Sequence, residues 1–168
     1  LIVIDYGSTE PHSETTHWTD GTLSEARNIA VSKVNTPYIL CLDADDTLEP
    51  KCVEKMLALA SENTVVASDG RFFGDSRGVF IAASGDFTEC NQILNCSLFP
   101  RELWIDVGGW DESLSGYEDW DFWLRAQKQG YTFKTIPESL VNIRAHGDSR
   151  NTEAKRNHEE LVAKILSK

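Results

Sequence analysis

Residues 38–42, Tyr-Ile-Leu-Cys-Leu, are apolar without polar alternation and run straight into Asp43, Asp45 and Asp46. A short run of that kind suits a strand covered on both faces, as in a largely parallel sheet flanked by helices. Leu-Ile-Val-Ile-Asp at 1–5 has the same character and gives way to the turn signal Tyr-Gly-Ser-Thr. Between them, Thr-Leu-Ser-Glu at 22–25 fits a capping box and opens a helix to about Lys33, with Leu23, Ala26, Ile29 and Ala30 inward. Strand, helix, strand is the grammar of an α/β domain.

The remaining chain extends that pattern less regularly. Pro50 suits the first turn of a second helix, with Val53, Met56, Leu57 and Ala60 at helical spacing. Strands are expected at 64–68, 78–83 and 96–99, with an irregular stretch at 85–95. A short helix after Pro100 closes at Gly108–Gly109, and 118–130 reads as a helix with acids in its first turn and Gly130 as its stop. Strands at 132–136 and 140–144 and a charged helix over about 152–167 complete one domain spanning 1–168.

The charge balance, 16 Lys and Arg against 27 Asp and Glu for a net −11, gives no surface for a nucleic-acid backbone. It leaves room for nucleotides, whose phosphates a metal can carry. Cys41, Cys52, Cys90 and Cys96 form no CxxC pair, so no zinc site is expected, and a reducing, cytoplasmic setting is. No apolar stretch reaches the length of a membrane span.

Crowded carboxylates need compensation. A metal with a phosphorylated ligand, a nucleophilic aspartate and plain turn chemistry all answer for residues 43–46. Leu-Asp-Ala-Asp-Asp-Thr-Leu matches the signature of haloacid-dehalogenase-like phosphatases, with Asp43 as nucleophile, Asp45 as acid/base and Gly-Asp-Ser-Arg-Asn at 147–151 as a later element. A strand and a helix precede the signature here, the Asn-Ile-Arg-Ala-His before Gly147 is polar, and Thr152 stands where an aspartate is required.

A different resemblance covers more of the chain. LIVIDYGSTE, EARNIAVSKVNTPYILCLDADDTLEP and GGWDESLSGYEDWDFWLRAQKQGY follow in that order. Together they resemble family 2 glycosyltransferases, inverting sugar-nucleotide enzymes of the GT-A fold. The resemblance implies a Rossmann-like, mostly parallel sheet, a nucleotide- and metal-binding half at about 1–63 and an acceptor half at about 64–150. It implies Mg²⁺ or Mn²⁺ bound by Asp43, Asp45 and His146, with Asp5, Arg27, Asn28, Asp43 and Asp46 toward the donor. Asp119 carries over as general base, with Glu118 bracing it or contacting the acceptor. The partners so implied are a sugar nucleotide and a saccharide or other hydroxyl acceptor. Relatives vary over the region of 69–95 to choose acceptors. The family also begins one strand and one helix earlier, so an N-terminally truncated domain is expected. Its exposed strand edges would be covered by a second copy, or the chain would serve as an inactive module in such an oligomer.

Overall fold

The computed structural model describes residues 1–6, 10, 17–147, 154 and 156–168. In chain order the elements are β1 (Ile4–Tyr6), β2 (His17–Thr19), α1 (Leu23–Ser32), β3 (Tyr38–Leu40), β4 (Thr47–Leu48), α2 (Cys52–Leu57) and β5 (Thr64–Gly74). Then come β6 (Gly78–Phe80), β7 (Leu98–Pro100), α3 (Arg101–Asp106), α4 (Glu118–Lys128), β8 (Thr132–Ala145) and α5 (His158–Leu166). The expected Gly-Asp-Ser element at 147–151 and the start of the last helix lie largely outside the described residues.

The main sheet runs β3-β7-β5-β8-β4, with β6 on β5, and β1 pairs with β2 in a separate parallel ribbon. The sheet is α/β and flanked by helices as expected, but it is mixed. Its longest pairing, β5 with β8, is parallel, while β3–β7, β5–β7, β5–β6 and β4–β8 are antiparallel. The strand expected at 64–68 continues to Gly74, and those expected at 132–136 and 140–144 are one strand. Pro137 and Glu138 fall in a register shift, because Ile136 pairs Ser68 and Ser139 pairs Asp69. A proline gives no ladder N–H, so the strand bulges and resumes.

Alternation along β5 divides two cores. Val65 and Ala67 join the cluster with Val31, Leu103, Trp123 and Ile165, on the face of α1, α3, α4 and α5. Val66 joins Cys52, Met56, Leu98 and Val141 on the face of α2. Ile39 of β3, Val65 and Ala67 of β5 and Phe99 of β7 therefore share the face of α1 and α4. Trp110, 2% exposed, stacks on Phe122 at 4.4 Å between ring centroids, which makes it a packing residue.

Candidate active site

Helix α1 begins where Thr22 accepts from the Glu25 N–H at 3.1 Å, a side-chain N-cap. That start fixes the helical phase that carries Arg27 inward. Arg27 is only 7% exposed, yet it is charged, and two acids hold it. One terminal nitrogen donates to Glu118 Oε1 at 2.8 Å and the other to Asp43 Oδ1 at 3.0 Å. Burial opposes the guanidinium's charge, but Asp43 and Glu118 outweigh it and raise its pKa. Its Nε is buried without a partner.

Asn28 points to another task. Its Oδ1 accepts from Trp104 Nε1 at 3.0 Å and the Trp110 N–H at 2.9 Å. Its Nδ2 donates to the Trp110 carbonyl and to Glu112 Oε1, each at 2.9 Å. The amide thereby clasps the Gly-Gly-Trp segment, where Gly109 has φ 77° and a Cβ would lie 2.5 Å from Asn28 Oδ1. Only glycine meets both conditions.

Glu118 and Asp119 open α4 after Tyr117, whose φ of 56° is left-handed and unusual for a residue with a bulky side chain. The turn is held by the Tyr117 ring, edge-on to Trp120 and His158, with its hydroxyl 3.1 Å from His158 Nδ1. The helix N-terminus favours the carboxylates behind it. Asp119 accepts from the Trp120 N–H at 2.9 Å and from Asn91 Nδ2 at 2.8 Å. Burial, then the charge of Glu118, push its pKa up to about 6, against the pull of Arg27 and the two N–H donors. Asp121 belongs elsewhere, buried and paired with Arg125 at 2.7 Å and Lys168 at 2.6 Å.

The acids after β3 diverge. Asp43 turns to Arg27, while Asp46 accepts from the Arg144 backbone N–H at 2.8 Å. Burial, with Asp43 and Asp45 adding to it, pushes the Asp46 pKa up to about 6 even against that N–H. Asp45 lies 3.4 Å from His146 Nε2, both side chains close to half exposed. Among the described residues no three His, Cys, Asp or Glu side chains gather tightly enough to hold an ion by themselves. Two converging donors do suit a hard cation that keeps waters and takes phosphate oxygens for its other positions.

Of the expected residues, then, one cluster gathers Arg27, Asp43, Glu118 and Asp119, and Asp45, Asp46 and His146 form the rim beyond Asp43. Asp5 lies on β1, the ribbon against which α1 packs. Sequence reasoning missed Asn91, whose only signal was an amide in an irregular stretch.

A family model, glycosyl transferase family 2, matches residues 2–109. The chain is 29% identical over 143 residues to an uncharacterized glycosyltransferase, YwdF, of Bacillus subtilis, covering 77% of this chain and 52% of that protein. It is 28% identical over 160 residues to a chondroitin synthase of Escherichia coli, covering 87% of this chain and 23% of the relative. The chain thus spans about half the length of the first relative and a quarter of the second. S. aureus TarS 1–349, solved in complex with UDP-GlcNAc, superposes with a TM-score of 0.68 at 17% identity, over 98% of this chain and 56% of TarS. That likeness extends the GT-A fold across nearly all of the chain. Nothing in these likenesses supports the phosphatase reading of residues 43–46. Among the described residues no helix is long and apolar enough to cross a membrane.

Proposed function

The chain belongs to glycosyl transferase family 2, and from that premise we propose that it moves a sugar from a nucleoside diphosphate to an acceptor hydroxyl with inversion. The observation carrying this reading is the Arg27 bridge, which ties Asp43, just after β3, and Glu118, at the start of α4 beside Asp119, to one guanidinium. Family 2 enzymes use nucleotide-sugar donors, and TarS, solved with UDP-GlcNAc and with UDP, supports such a donor here.

In this reaction the acceptor oxygen attacks the anomeric carbon opposite the diphosphate. The bond to the diphosphate oxygen breaks, the leaving group keeps the electron pair, and the acceptor proton passes to a base. A single displacement inverts the centre. Asp119 is the base we assign. A carboxylate poised at about 6 is ionised near neutrality yet basic enough to take a proton as attack proceeds. Glu118, held by Arg27, keeps a second negative charge beside it and sustains that basicity.

Asp45 and His146 would hold Mg²⁺ or Mn²⁺, with Asp43 and Asp46 alongside. Such an ion supplies Lewis-acid neutralisation of the charge that grows on the leaving diphosphate. We assign Asp5 to the nucleoside side. For Arg27 and Asn28 the protein partners support a positioning role in place of direct donor contact, since the guanidinium's two terminal nitrogens and Asn28's whole amide are engaged.

Calorimetry with UDP-, GDP- and dTDP-sugars, with and without Mn²⁺, tests this. Metal-dependent binding of one donor, lost in Asp45→Ala, is expected. If no donor binds under any condition, the reading fails and a folded, non-catalytic module takes its place.

A further inference from the structure

Segment 84–95 has little regular structure, yet it is fastened to α4. The Phe87 N–H donates to Gln127 Oε1 and Gln127 Nε2 donates to the Gly85 carbonyl, each at 3.1 Å. Trp120 Nε1 donates to the Phe87 carbonyl at 2.6 Å, while the Phe87 ring is fully buried against Phe133. These ties secure the segment and leave the site untouched. The Asn91 tie is different, because Nδ2 reaches Asp119 Oδ2 itself at 2.8 Å.

With the Trp120 N–H on Oδ1 and Asn91 on Oδ2, each carboxylate oxygen carries one protein donor. Two donors on two oxygens fix the plane of the group. Each oxygen retains a further lone pair, so a proton can still arrive. Resting on the transferase reading above, we infer that Asn91 is a positioning residue for that reaction: its amide orients the Asp119 carboxylate toward the acceptor hydroxyl.

The charged groups facing Asp119 are Glu118 on its own helix and Arg27 on α1, with Asp43 beyond the guanidinium. Asn91 is the neutral partner from segment 84–95, and its N–H favours the ionised form. Asn91→Ala removes that donor and leaves the charges in place. The Asp119 titration, followed by carboxyl-carbon NMR, then moves up by about one pH unit. The acid limb of kcat/KM moves with it. Turnover at about pH 6 falls roughly fivefold while donor KM holds. Gln127→Ala, which loosens the same segment without touching Asp119, lowers the melting temperature and leaves the titration in place.

An unmoved Asp119 in Asn91→Ala overturns the inference, and so does an equal shift in Gln127→Ala, which would assign the effect to the segment's packing. The NMR titration needs no turnover. A wild-type chain that transfers nothing, in which Asn91→Ala still moves Asp119, sinks the transferase reading and not the orientation of the carboxylate.

Discussion

The interior of the site and its rim manage negative charge in opposite ways. Inside, Arg27 and Glu118, with side chains 7% and 10% exposed, neutralise each other in a fixed geometry. On the rim, Asp45 and His146, 44% and 45% exposed, meet at 3.4 Å, and the histidine is a cation only when protonated. Asp43 stands between, 44% exposed but bound to the buried guanidinium. The three carboxylates of residues 43–46 therefore have three different answers: an arginine, a histidine and, for Asp46, a backbone N–H. The interior carries its own counter-charge and can wait folded. On the proposed reading, the rim would take its counter-charge from a bound cation.

The comparison breaks most sharply on activity at Asp119. Asp119→Asn removes the proposed base while keeping the shape, and turnover is expected to fall by about a thousandfold. Donor binding by calorimetry should hold within about twofold, because the rim is untouched. A variant that turns over normally would move the base elsewhere.

Arg27→Met attacks the interior's counter-charge. It leaves Glu118 buried without its cation, and urea denaturation should show a loss of about 3 kcal/mol. Adding Glu118→Gln should return part of that loss, since an uncharged amide needs no cation there. If the double variant is no more stable than Arg27→Met alone, the two side chains are not coupled as the 2.8 Å contact implies.

On the rim, Asp45→Ala and His146→Ala should each weaken Mn²⁺ binding by about tenfold or more. Stability should change by no more than about 0.5 kcal/mol, as for other exposed polar residues. A large stability loss on the rim would erase the distinction between the two regions.

The sequence carried the rim better than the interior. The apolar run 38–42 placed Asp43, Asp45 and Asp46 at a strand end, and the structure ends β3 at Leu40 with the acids just beyond, but β3 is an edge strand in which only Ile39 is buried. Acids, then a cationic last turn, then Gly130 bounded α4 to within two residues at its far end. Arg27 was legible only through its A-R-N setting. On local evidence an arginine on a helix reads as solvated, and its partner Glu118 lies 91 residues away. Asn91 reaches Asp119 across 28 residues from a stretch with no periodicity, so no local signal could pair them. The two strands expected at 132–136 and 140–144 are one for a simpler reason: the long β5 ladder supports the bulged strand on both sides of Pro137.

The smallest effect concerns pH. Asp119 keeps its proton to higher pH in the folded chain than in the unfolded one, with a pKa of about 6 against an ordinary 3.8. Between those values the folded state binds more protons, so stability is lost as pH rises through the window. Asparagine cannot titrate. The stability of Asp119→Asn minus that of the wild type should therefore climb from about pH 4 to about pH 7, by on the order of 1 kcal/mol after allowance for partial solvent access. Its absolute value at either end also includes the hydrogen bond that an amide cannot accept from Trp120 or Asn91, so the slope is the quantity to read. Denaturation at several pH values measures it directly. A flat difference would mean that Asp119 titrates alike in both states, and the interior would then hold no strained base beneath the open rim.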